Sequence, residues 1–415
     1  MRVCIHRGAH EIGGSCIELE AEGARILLDL GRPLWARPGE KVPLPPVAGL
    51  ANGDDPSLLG VLISHPHQDH YGLVGAAHPS VPIFMGEAAA RILREAAFFV
   101  PGIAPMVPTG FLRHRVPFTL GPFRITPYLN DHSAFDAYSL LVEADGRRLF
   151  YTGDIRGHGR KAALFDQLLR YPPRNIDVLL LEGTHVSADG PLRTVCGPSE
   201  RDVEDDCLRT LRSTPGMVLA VYSAQNIDRL VTLYRAARRA GRELVVDLYT
   251  TTVALATGSS SIPKPGFEGL RVFVPRSQRV RVLRQRAFER VAAVRSCRIF
   301  GDELVERPDR FVLTFRSSMS AELEAMGALS GARAVWSLWP GYLDQSEDLR
   351  AFLSRQGIEL VVHHSSGHAW VPDLRRLAEA LAPARVVPIH SVGGDRFGEF
   401  TARVERHRDG EGWPA

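Results

Sequence analysis

One short stretch decides the fold of this 415-residue chain: Ser64-His65-Pro66-His67-Gln68-Asp69-His70. It follows the apolar run Val61–Ile63, so it lies in a loop at the end of a buried strand. Three imidazoles and a carboxylate are costly to bury without partners, whereas such a loop can spread them around one or two cations. The two alternating histidines can face one ion, and Asp69 and His70, after the turn, can reach a second. A histidine-rich surface loop is the alternative interpretation.

The histidines are confined to the two outer parts of the chain. None of the 15 lies between His185 and His363. The outer parts alternate short apolar runs with turns, which predicts strands, whereas the middle alternates strands and helices as a parallel βαβ sheet does. The pattern predicts a metal-binding domain over residues 1–195 and 346–415, interrupted by an insertion over residues 196–345.

The composition excludes several classes of protein. Hydrophobic residues make up 45%, charged residues 23% and the net charge is +3, which excludes disordered, collagen-like and coiled-coil chains. No apolar run approaches the roughly 18 residues of a membrane span, and the N-terminus lacks the features of a secretory signal. The five scattered cysteines form neither a disulfide framework nor a thiolate zinc site. We expect a cytoplasmic protein without a membrane partner.

Further candidate ligands follow later apolar runs. Asn130-Asp131-His132-Ser133 follows the predicted strand 123–128, Tyr151-Thr152-Gly153-Asp154 follows another, and Val387-Pro388-Ile389-His390-Ser391 closes a third. Each motif alone is weak, because an isolated histidine is more often structural. In this order, and together with residues 64–70, the motifs resemble those of the metallo-β-lactamase fold family.

The resemblance implies a two-metal site in an αββα sandwich. The implied ligands are His65, His67 and His132 for one ion, Asp69, His70 and His390 for the other, and Asp154 as the bridge. Two Zn²⁺ ions are implied by the imidazole-rich set, and Mn²⁺ is a possible substitute because carboxylates contribute. Water between two such cations has a lowered pKa and attacks as hydroxide.

Asp29 ends the apolar run that begins at Ile26 and matches the early acidic motif of the family. The resemblance implies that it orients a ligand histidine without binding the metal itself. A role in capping the turn before Gly31 is compatible with this one.

The motifs that flank the middle segment resemble those of the β-CASP nucleases, the branch that contains ribonuclease J and the cleavage-and-polyadenylation-factor endonucleases. They are Leu179-Leu-Leu-Glu182-Gly-Thr-His185, then Val361-Val-His-His364-Ser-Ser366-Gly367-His368, with Tyr222-Ser223-Ala-Gln-Asn226 in the middle. The resemblance covers nearly the whole chain. It implies that the insertion is an α/β β-CASP domain with a parallel sheet.

A phosphodiester substrate suits these motifs. Ser366, Gly367 and His368 occupy a strand-to-loop turn, where backbone N–H groups, a hydroxyl and an imidazole can converge on a phosphate. Ser223 and Asn226 precede a helix, whose N-terminus favours anions, although simple N-capping is an equal alternative.

The resemblance extends to roles in the reaction. It implies that His364 contacts a neighbouring phosphate. From its chemistry, the imidazole of His368 can protonate the leaving oxygen or bind the scissile phosphate. Glu182 is expected to orient a motif histidine, and Asp69 is expected to act in catalysis as a metal ligand.

An arginine-rich stretch has two open interpretations. Residues 271–298 contain nine arginines and one acidic residue, Glu289. On a helix over 279–294, Arg279, Arg286 and Arg290 fall on one face, while the apolar residues Val280, Leu283, Ala287 and Val291 pack inward. This face is either simply solvated or a track for nucleic acid.

The leading functional hypothesis is a two-zinc ribonuclease that cuts single-stranded RNA as a 5′ exonuclease, an endonuclease or both. The alternatives are a DNA nuclease of the same fold and a metallo-hydrolase of small acyl or phosphoester substrates. The chain ends soon after the last histidine motif, so we expect it to lack the C-terminal domain of ribonuclease J proteins. A homodimer is possible by the same resemblance.

Overall fold

The computed structural model describes residues 1–37, 39–103 and 106–415. The strands are Arg2–Arg7 (β1), Cys16–Ala21 (β2), Ala24–Leu28 (β3), Leu58–Leu62 (β4), Ile83–Gly86 (β5), Gly110–Leu112 (β6), Phe118–Leu120 (β7), Phe123–Leu129 (β8), Tyr138–Ala144 (β9), Arg147–Tyr151 (β10), Val178–Glu182 (β11), Val218–Val221 (β12), Glu243–Asp247 (β13), Leu270–Phe273 (β14), Arg298–Ile299 (β15), Phe311–Thr314 (β16), Arg333–Trp336 (β17), Glu359–Val362 (β18), Arg385–Ile389 (β19) and Gly412–Pro414 (β20). The α-helices are Gln68–Tyr71 (α1), Glu87–Phe99 (α2), Ala162–Arg170 (α3), Glu200–Ser213 (α4), Ile227–Arg239 (α5), Leu248–Ala256 (α6), Arg276–Gln285 (α7), Phe288–Ala292 (α8), Gly301–Glu306 (α9), Ser320–Met326 (α10), Gly341–Asp344 (α11), Glu347–Arg355 (α12) and Val371–Leu381 (α13).

The chain divides into two compact units. Unit 1 comprises Met1–Arg94, Ala104–Gly197 and Gly367–Ala415, and unit 2 comprises Glu95–Ile103 and Pro198–Ser366. The return to unit 1 thus lies after residue 366, whereas the predicted domain boundary lies after residue 345. The reason is that β18, which follows α12, pairs with β17 and extends the sheet of unit 2.

Unit 1 is built on two facing sheets. Their strand orders are β20-β1-β2-β3-β4-β5-β6 and β19-β11-β10-β9-β8-β7. Alternate residues of β1 and β2 point inward, because successive side chains of a strand face opposite sides. Ile5 and Leu19 meet Leu140 and Leu180 of the other sheet in one buried cluster.

Helices cover the outer faces of both sheets. Ala89 and Leu93 of α2 pack on the outer side of the first sheet with Leu27 and Ile63. On the second sheet, side chains of α3 and α13 pack against Leu179 of β11. Because β11 is covered on both faces, all five of its residues are buried. The result is the predicted αββα sandwich.

Unit 2 contains one parallel sheet with strand order β15-β14-β13-β16-β12-β17-β18. Its strand pairs are all parallel, as the alternation of strands and helices predicts. The predicted fold class, a sandwich with an inserted α/β domain, is therefore confirmed. Among the helices in the described ranges, none is long and apolar enough to cross a bilayer.

The predicted helix over 279–294 is wrong, because two shorter helices occupy this stretch. Arg286 adopts a left-handed backbone (φ 53°) and ends α7, and α8 begins two residues later. The inward face also differs from the prediction: Val282 is buried, whereas Leu283 is 60% exposed. Arg279 and Arg290 therefore belong to different helices and share no helical face.

A buried ion pair joins two helices of unit 2. Arg229 of α5 lies 2.9 Å from Glu200 of α4, and both side chains are almost completely buried. The same guanidinium donates to the backbone oxygens of Ser337 and His363, which follow β17 and β18. The pair thus connects the helix layer to the carboxyl ends of two strands.

We expect Glu200→Gln to lower the free energy of unfolding of unit 2 by about 3–5 kcal/mol, because it leaves the Arg229 guanidinium buried without its counter-charge. Urea unfolding combined with hydrogen exchange of the β17 and β18 amides measures the loss. Glu268→Gln is the matched control, since Glu268 pairs with Arg238 at the surface and exposed pairs contribute little. Equal effects of the two substitutions would contradict the assigned role of the buried pair.

Candidate metal centre

The predicted ligands come together in unit 1, where strands end. The loop of residues 64–70 follows β4, His132 follows β8, Asp154 follows β10, Glu182 ends β11 and His390 follows β19. The strands β10, β11 and β19 are parallel neighbours, so their carboxyl ends lie along one edge of the sheet. This edge therefore collects side chains that are far apart in sequence.

Two groups of side chains share Asp154. The first contains His65, His67 and His132, and the second contains Asp69, His70 and His390; the ligand atoms in each group lie within 4.8 Å of one another. One Asp154 oxygen, Oδ2, lies 3.4 Å from His65 Nε2 and 3.2 Å from His70 Nε2. Four ligand atoms bound tetrahedrally to one zinc ion are roughly 3.3 Å apart. The spacing of the side chains thus suits metal ligands.

Four buried atoms at this junction have no hydrogen-bond partner among the residues that the structure describes. They are His65 Nε2, His70 Nε2 and both carboxylate oxygens of Asp154. Leaving buried polar atoms unsatisfied is costly, and a carboxylate without a counter-charge is the most costly of all. Divalent cations are the partners that these converging lone pairs fit.

Asp29 holds one of the candidate ligands in place. Its carboxylate lies 2.7 Å from His70 Nδ1 and accepts hydrogen bonds from the backbone N–H of Ser64 (2.6 Å) and the hydroxyl of Tyr151 (2.5 Å). With its Nδ1–H donated to Asp29, His70 presents the lone pair of Nε2 to the junction. Asp29 has a positive φ of 60°, a strained backbone for a residue other than glycine.

His132 is oriented by the turn that precedes α13. Its Nδ1 lies 2.6 Å from the carbonyl oxygen of Gly367, and its Nε2 lies 3.1 Å from His67 Nδ1. A Cβ at Gly367 would come within 2.7 Å of Ser133 Oγ, so only glycine fits without a shift. Gly367 therefore contacts a candidate ligand through its carbonyl group, a role that its predicted contact with phosphate did not include.

Thr184 contacts both a candidate metal ligand, His390, and a histidine of the β-CASP-like motifs, His368. Its hydroxyl lies 3.0 Å from Nδ1 of both His368 and His390. Glu182 Oε1 lies 3.5 Å from His368 Nδ1, and the Glu182 carboxylate accepts hydrogen bonds from the backbone N–H groups of Thr184 (3.0 Å) and Ala369 (3.2 Å). Glu182 is thus placed to orient His368. Sequence reasoning missed Thr184, which carries no ligand signature.

The local electrostatics divide the histidines into two kinds. Burial and, to a lesser extent, the neighbouring imidazole of His65 lower the pKa of His67 to about 3. Burial likewise lowers the pKa of His65 and His132, so these three rings are neutral, as metal binding requires. For His368, burial lowers the pKa, but the nearby carboxylates of Asp154 and Glu182 outweigh it and raise the pKa to about 9.

Other residues that sequence reasoning missed hold the loops together. The Asn130 side-chain amide donates to the backbone oxygens of Thr152 (3.3 Å) and Asp154 (3.2 Å). Asp131 accepts from the backbone N–H of Gly159 at 2.6 Å, and Lys161 Nζ donates to the backbone oxygen of His132 at 2.9 Å. These contacts connect the His132 loop to the Asp154 loop. Their only sequence signal is their place beside a candidate ligand.

The remaining predicted phosphate contacts lie in unit 2. The Asn226 side chain caps α5 by accepting a hydrogen bond from the backbone N–H of Arg229, and Ser223 Oγ accepts one from the backbone N–H of Gln225. The capping role weighed for Asn226 is therefore present. His364 and Ser366 are half-buried, and they lie three residues and one residue before Gly367. Phosphate binding by these four residues stays a prediction.

Comparison with known proteins agrees with the metallo-β-lactamase fold seen in the structure. A family model described as a beta-lactamase superfamily domain matches residues 25–231. Ribonuclease J of Mycobacterium tuberculosis is 25% identical over 94% of this chain and 69% of its own length. Ribonuclease J of Sinorhizobium meliloti is 23% identical over 85% of this chain and 61% of its own length. An "RNase J-like protein" of Methanocaldococcus jannaschii is 23% identical over 59% of this chain and 57% of its own length.

A solved structure shares the fold over nearly the full length. It is a crystal structure of a protein of unknown function from Enterococcus faecalis V583, with a TM-score of 0.79 at 19% identity and coverage of 99% of both chains. The matched domain, the ribonuclease J relatives and the two-unit architecture agree with one another. The chain therefore has the metallo-β-lactamase fold with an inserted α/β unit, and over most of its length it is similar to ribonuclease J proteins.

Proposed function

We propose that this protein is a metal-dependent ribonuclease that hydrolyses phosphodiester bonds in single-stranded RNA with the help of two divalent ions. The observation that carries the proposal is the pair of ligand groups that share Asp154, with four buried atoms lacking any other partner in the described chain. The relatives named ribonuclease J support RNA as the substrate. The cytoplasmic location and the homodimer expected from the sequence belong to the same proposal.

In this proposal His65, His67 and His132 would hold one ion, and Asp69, His70 and His390 would hold the other. Asp154 belongs to both groups. Zinc is the expected metal because imidazoles dominate, with manganese as a substitute. When bound, two such ions activate water and neutralise the charge that develops on a phosphoryl group.

The protein itself orients these groups and moves protons. Asp29, Thr184 and the Gly367 carbonyl each contact one ring nitrogen of a candidate ligand histidine. The His368 side chain is 20% exposed, so a substrate can reach it, whereas Glu182 is completely buried. We assign His368 to the scissile phosphate or the leaving oxygen, and Glu182 to the positioning of His368.

The phosphate contacts of unit 2 are part of the proposal. Ser366 directly precedes Gly367, and His364 lies three residues before it. Both are proposed to bind phosphate groups of the RNA. At the start of α5, the side-chain oxygen of Asn226 is occupied by the cap, so its amide N–H₂ and the Ser223 hydroxyl are the donors left for an anion.

We expect cleavage of a 3′-labelled single-stranded RNA when zinc or manganese is added. Asp154→Asn, Asp69→Ala and His70→Ala should each lose bound metal and lower the cleavage rate by at least about a thousandfold, because two-metal sites supply several kcal/mol of transition-state stabilisation. Gel analysis of the products and elemental analysis of the purified variants measure both effects. His78→Ala, at an exposed histidine of unit 1 outside both groups, is the matched control.

The same assay distinguishes the mode of cleavage and the competing functions. Stepwise shortening that prefers a 5′-monophosphate identifies an exonuclease, and discrete internal products identify an endonuclease. A DNA oligonucleotide must run alongside, since attack by water does not need the 2′-hydroxyl group. Absence of metal-dependent cleavage of either polymer would refute the proposal and favour a hydrolase of small substrates, and full activity of His70→Ala would refute the ligand assignment.

We expect Asp29→Asn to weaken metal binding by about 10–100-fold, because substituting a residue that orients a ligand has effects of this size. The amide cannot replace the charge that faces His70, and it cannot accept all the hydrogen bonds of the carboxylate. Competition between the protein and a zinc chelator of known affinity measures the change. Asp145→Asn, beside the N-terminal amine, is the control, and equal affinities in the two variants would contradict the role of Asp29.

A further inference from the structure

A groove on unit 2 combines exposed aromatic rings with guanidinium groups. It has a volume of about 530 Å³ and is lined by Phe288, Val291, Ala292, Arg295, Arg298 and Phe300. Phe288 is 55% exposed and Phe300 is 53% exposed, although rings of this size are usually buried. The only charged groups in the lining are the two arginines. The groove begins at β15, an edge strand of the sheet.

The arginines of this stretch fall into two sets. Arg279 pairs with Glu322 at 2.7 Å, Arg290 pairs with Glu95, and Arg281 donates to the backbone oxygen of Phe98 at 2.7 Å. These three residues serve the packing of unit 2. Within residues 276–298, the arginines that have neither an ion pair nor such a backbone contact of the guanidinium in the described parts of the chain are Arg276, Arg284, Arg286, Arg295 and Arg298.

The groove has the chemistry of a surface that binds unpaired nucleotides. The Arg298 guanidinium lies over the Phe300 ring, 4.6 Å from its centroid. Exposed rings can stack on bases of any sequence, and guanidinium groups nearby can bind the phosphates between them. A second copy of this chain is disfavoured as the occupant, because pairing the same surfaces would bring unpaired arginines together.

We propose that this groove, with its rim of unpaired arginines, is a binding surface for single-stranded RNA, formed by residues that take no part in the metal centre. The identity of the polymer rests on the proposed ribonuclease function. Phe288 and Phe300 stack on bases, and Arg295 and Arg298 bind the adjacent phosphates. The proposed nucleic-acid surface therefore consists of other residues than the helical face of Arg279, Arg286 and Arg290 that the sequence suggested.

Binding without cleavage tests the surface directly. Fluorescence anisotropy with a labelled uridine oligomer of about 20 nucleotides, longer than one binding site, is measured in EDTA as a function of salt. The double variant Arg295→Gln/Arg298→Gln should bind roughly tenfold more weakly, and the slope of log K against log salt should fall by about 1.4, since each phosphate contact on a single strand contributes about 0.7. Arg355→Gln, at an exposed arginine of α12, is the matched control.

Substitution of the aromatic residues should change RNA binding in a different way from substitution of the arginines. Phe288→Ala/Phe300→Ala should weaken binding of the single strand at least about thirtyfold, because each of the two lost stacking contacts contributes about 1–3 kcal/mol and about 1.4 kcal/mol is tenfold. It should leave the salt slope unchanged, and it should not affect binding of a duplex, whose bases are already stacked. Single-stranded DNA should behave as RNA does. Tyr171→Ala, at a tyrosine of unit 1 that is 60% exposed, is the control, and the melting temperature of each variant shows whether it is folded.

The outcomes separate this surface from the ribonuclease function. If the wild type cleaves RNA and both double variants bind it as tightly as the controls do, the surface is refuted and the ribonuclease stands. If both double variants weaken binding and the wild type cuts nothing, the surface is supported and the ribonuclease fails. A wild type that neither binds nor cuts RNA refutes both. Unchanged RNA binding would favour an acidic protein partner if the variants lose affinity for polyglutamate, or a second copy if they change the sedimenting mass.

Discussion

The burial of Asp154 is the constraint on which unit 1 depends. Its carboxylate is almost completely enclosed, and neither oxygen receives a hydrogen bond from the described residues. A charge removed from water in this way must find a counter-charge or be neutralised. The nearest groups include the Nε2 atoms of His65 and His70, which likewise have no hydrogen-bond partner in the part of the chain that the structure describes. The centre of the domain is thus built to be completed by cations.

The contacts of the surrounding residues serve this need for cations by orienting the candidate ligand histidines. A histidine offers a lone pair in a defined direction only if its other ring nitrogen is engaged, and Asp29, Ser64 and the Gly367 carbonyl meet this need for His70, His65 and His132. The domain accepts strain to achieve it, since both Asp29 and His390 have a positive φ. Packing is equally tight beneath Asp69: a Cβ on Gly31 would lie 1.7 Å from the Asp69 backbone oxygen.

The extent to which this arrangement could be predicted differs between residues. The two groups around Asp154 were expected from sequence because the order of their motifs resembles that of the metallo-β-lactamase fold family. The parallel strands β10, β11 and β19 explain why Asp154 and His390 lie at one edge of the sheet. Thr184 and the carbonyl of Gly367 could not be recognised, because a hydroxyl group and a backbone oxygen reveal their contacts only when distant segments have met. The break at Arg286 was equally hidden, since arginine has no preference for the left-handed conformation that ends α7. The return to unit 1 after residue 366 depends on strand pairing in β18, which a run of apolar residues does not specify.

Charge in this chain matters locally more than globally. A net charge of +3 predicts little affinity for a polyanion, yet the pairing of individual arginines is uneven along residues 276–298. Arg279 and Arg290, which support packing, each have an acidic partner. The groove arginines Arg295 and Arg298 have none among the residues that the structure describes, so their charge is available to a ligand and its effect falls as salt rises. Because the metallo-β-lactamase fold serves many substrates, preference for a long polymer over a small molecule has to come from contacts made outside the metal centre. A groove that adds stacking and phosphate contacts at a fixed place on unit 2 gives such a preference, and its contribution grows with the length of strand that can reach it.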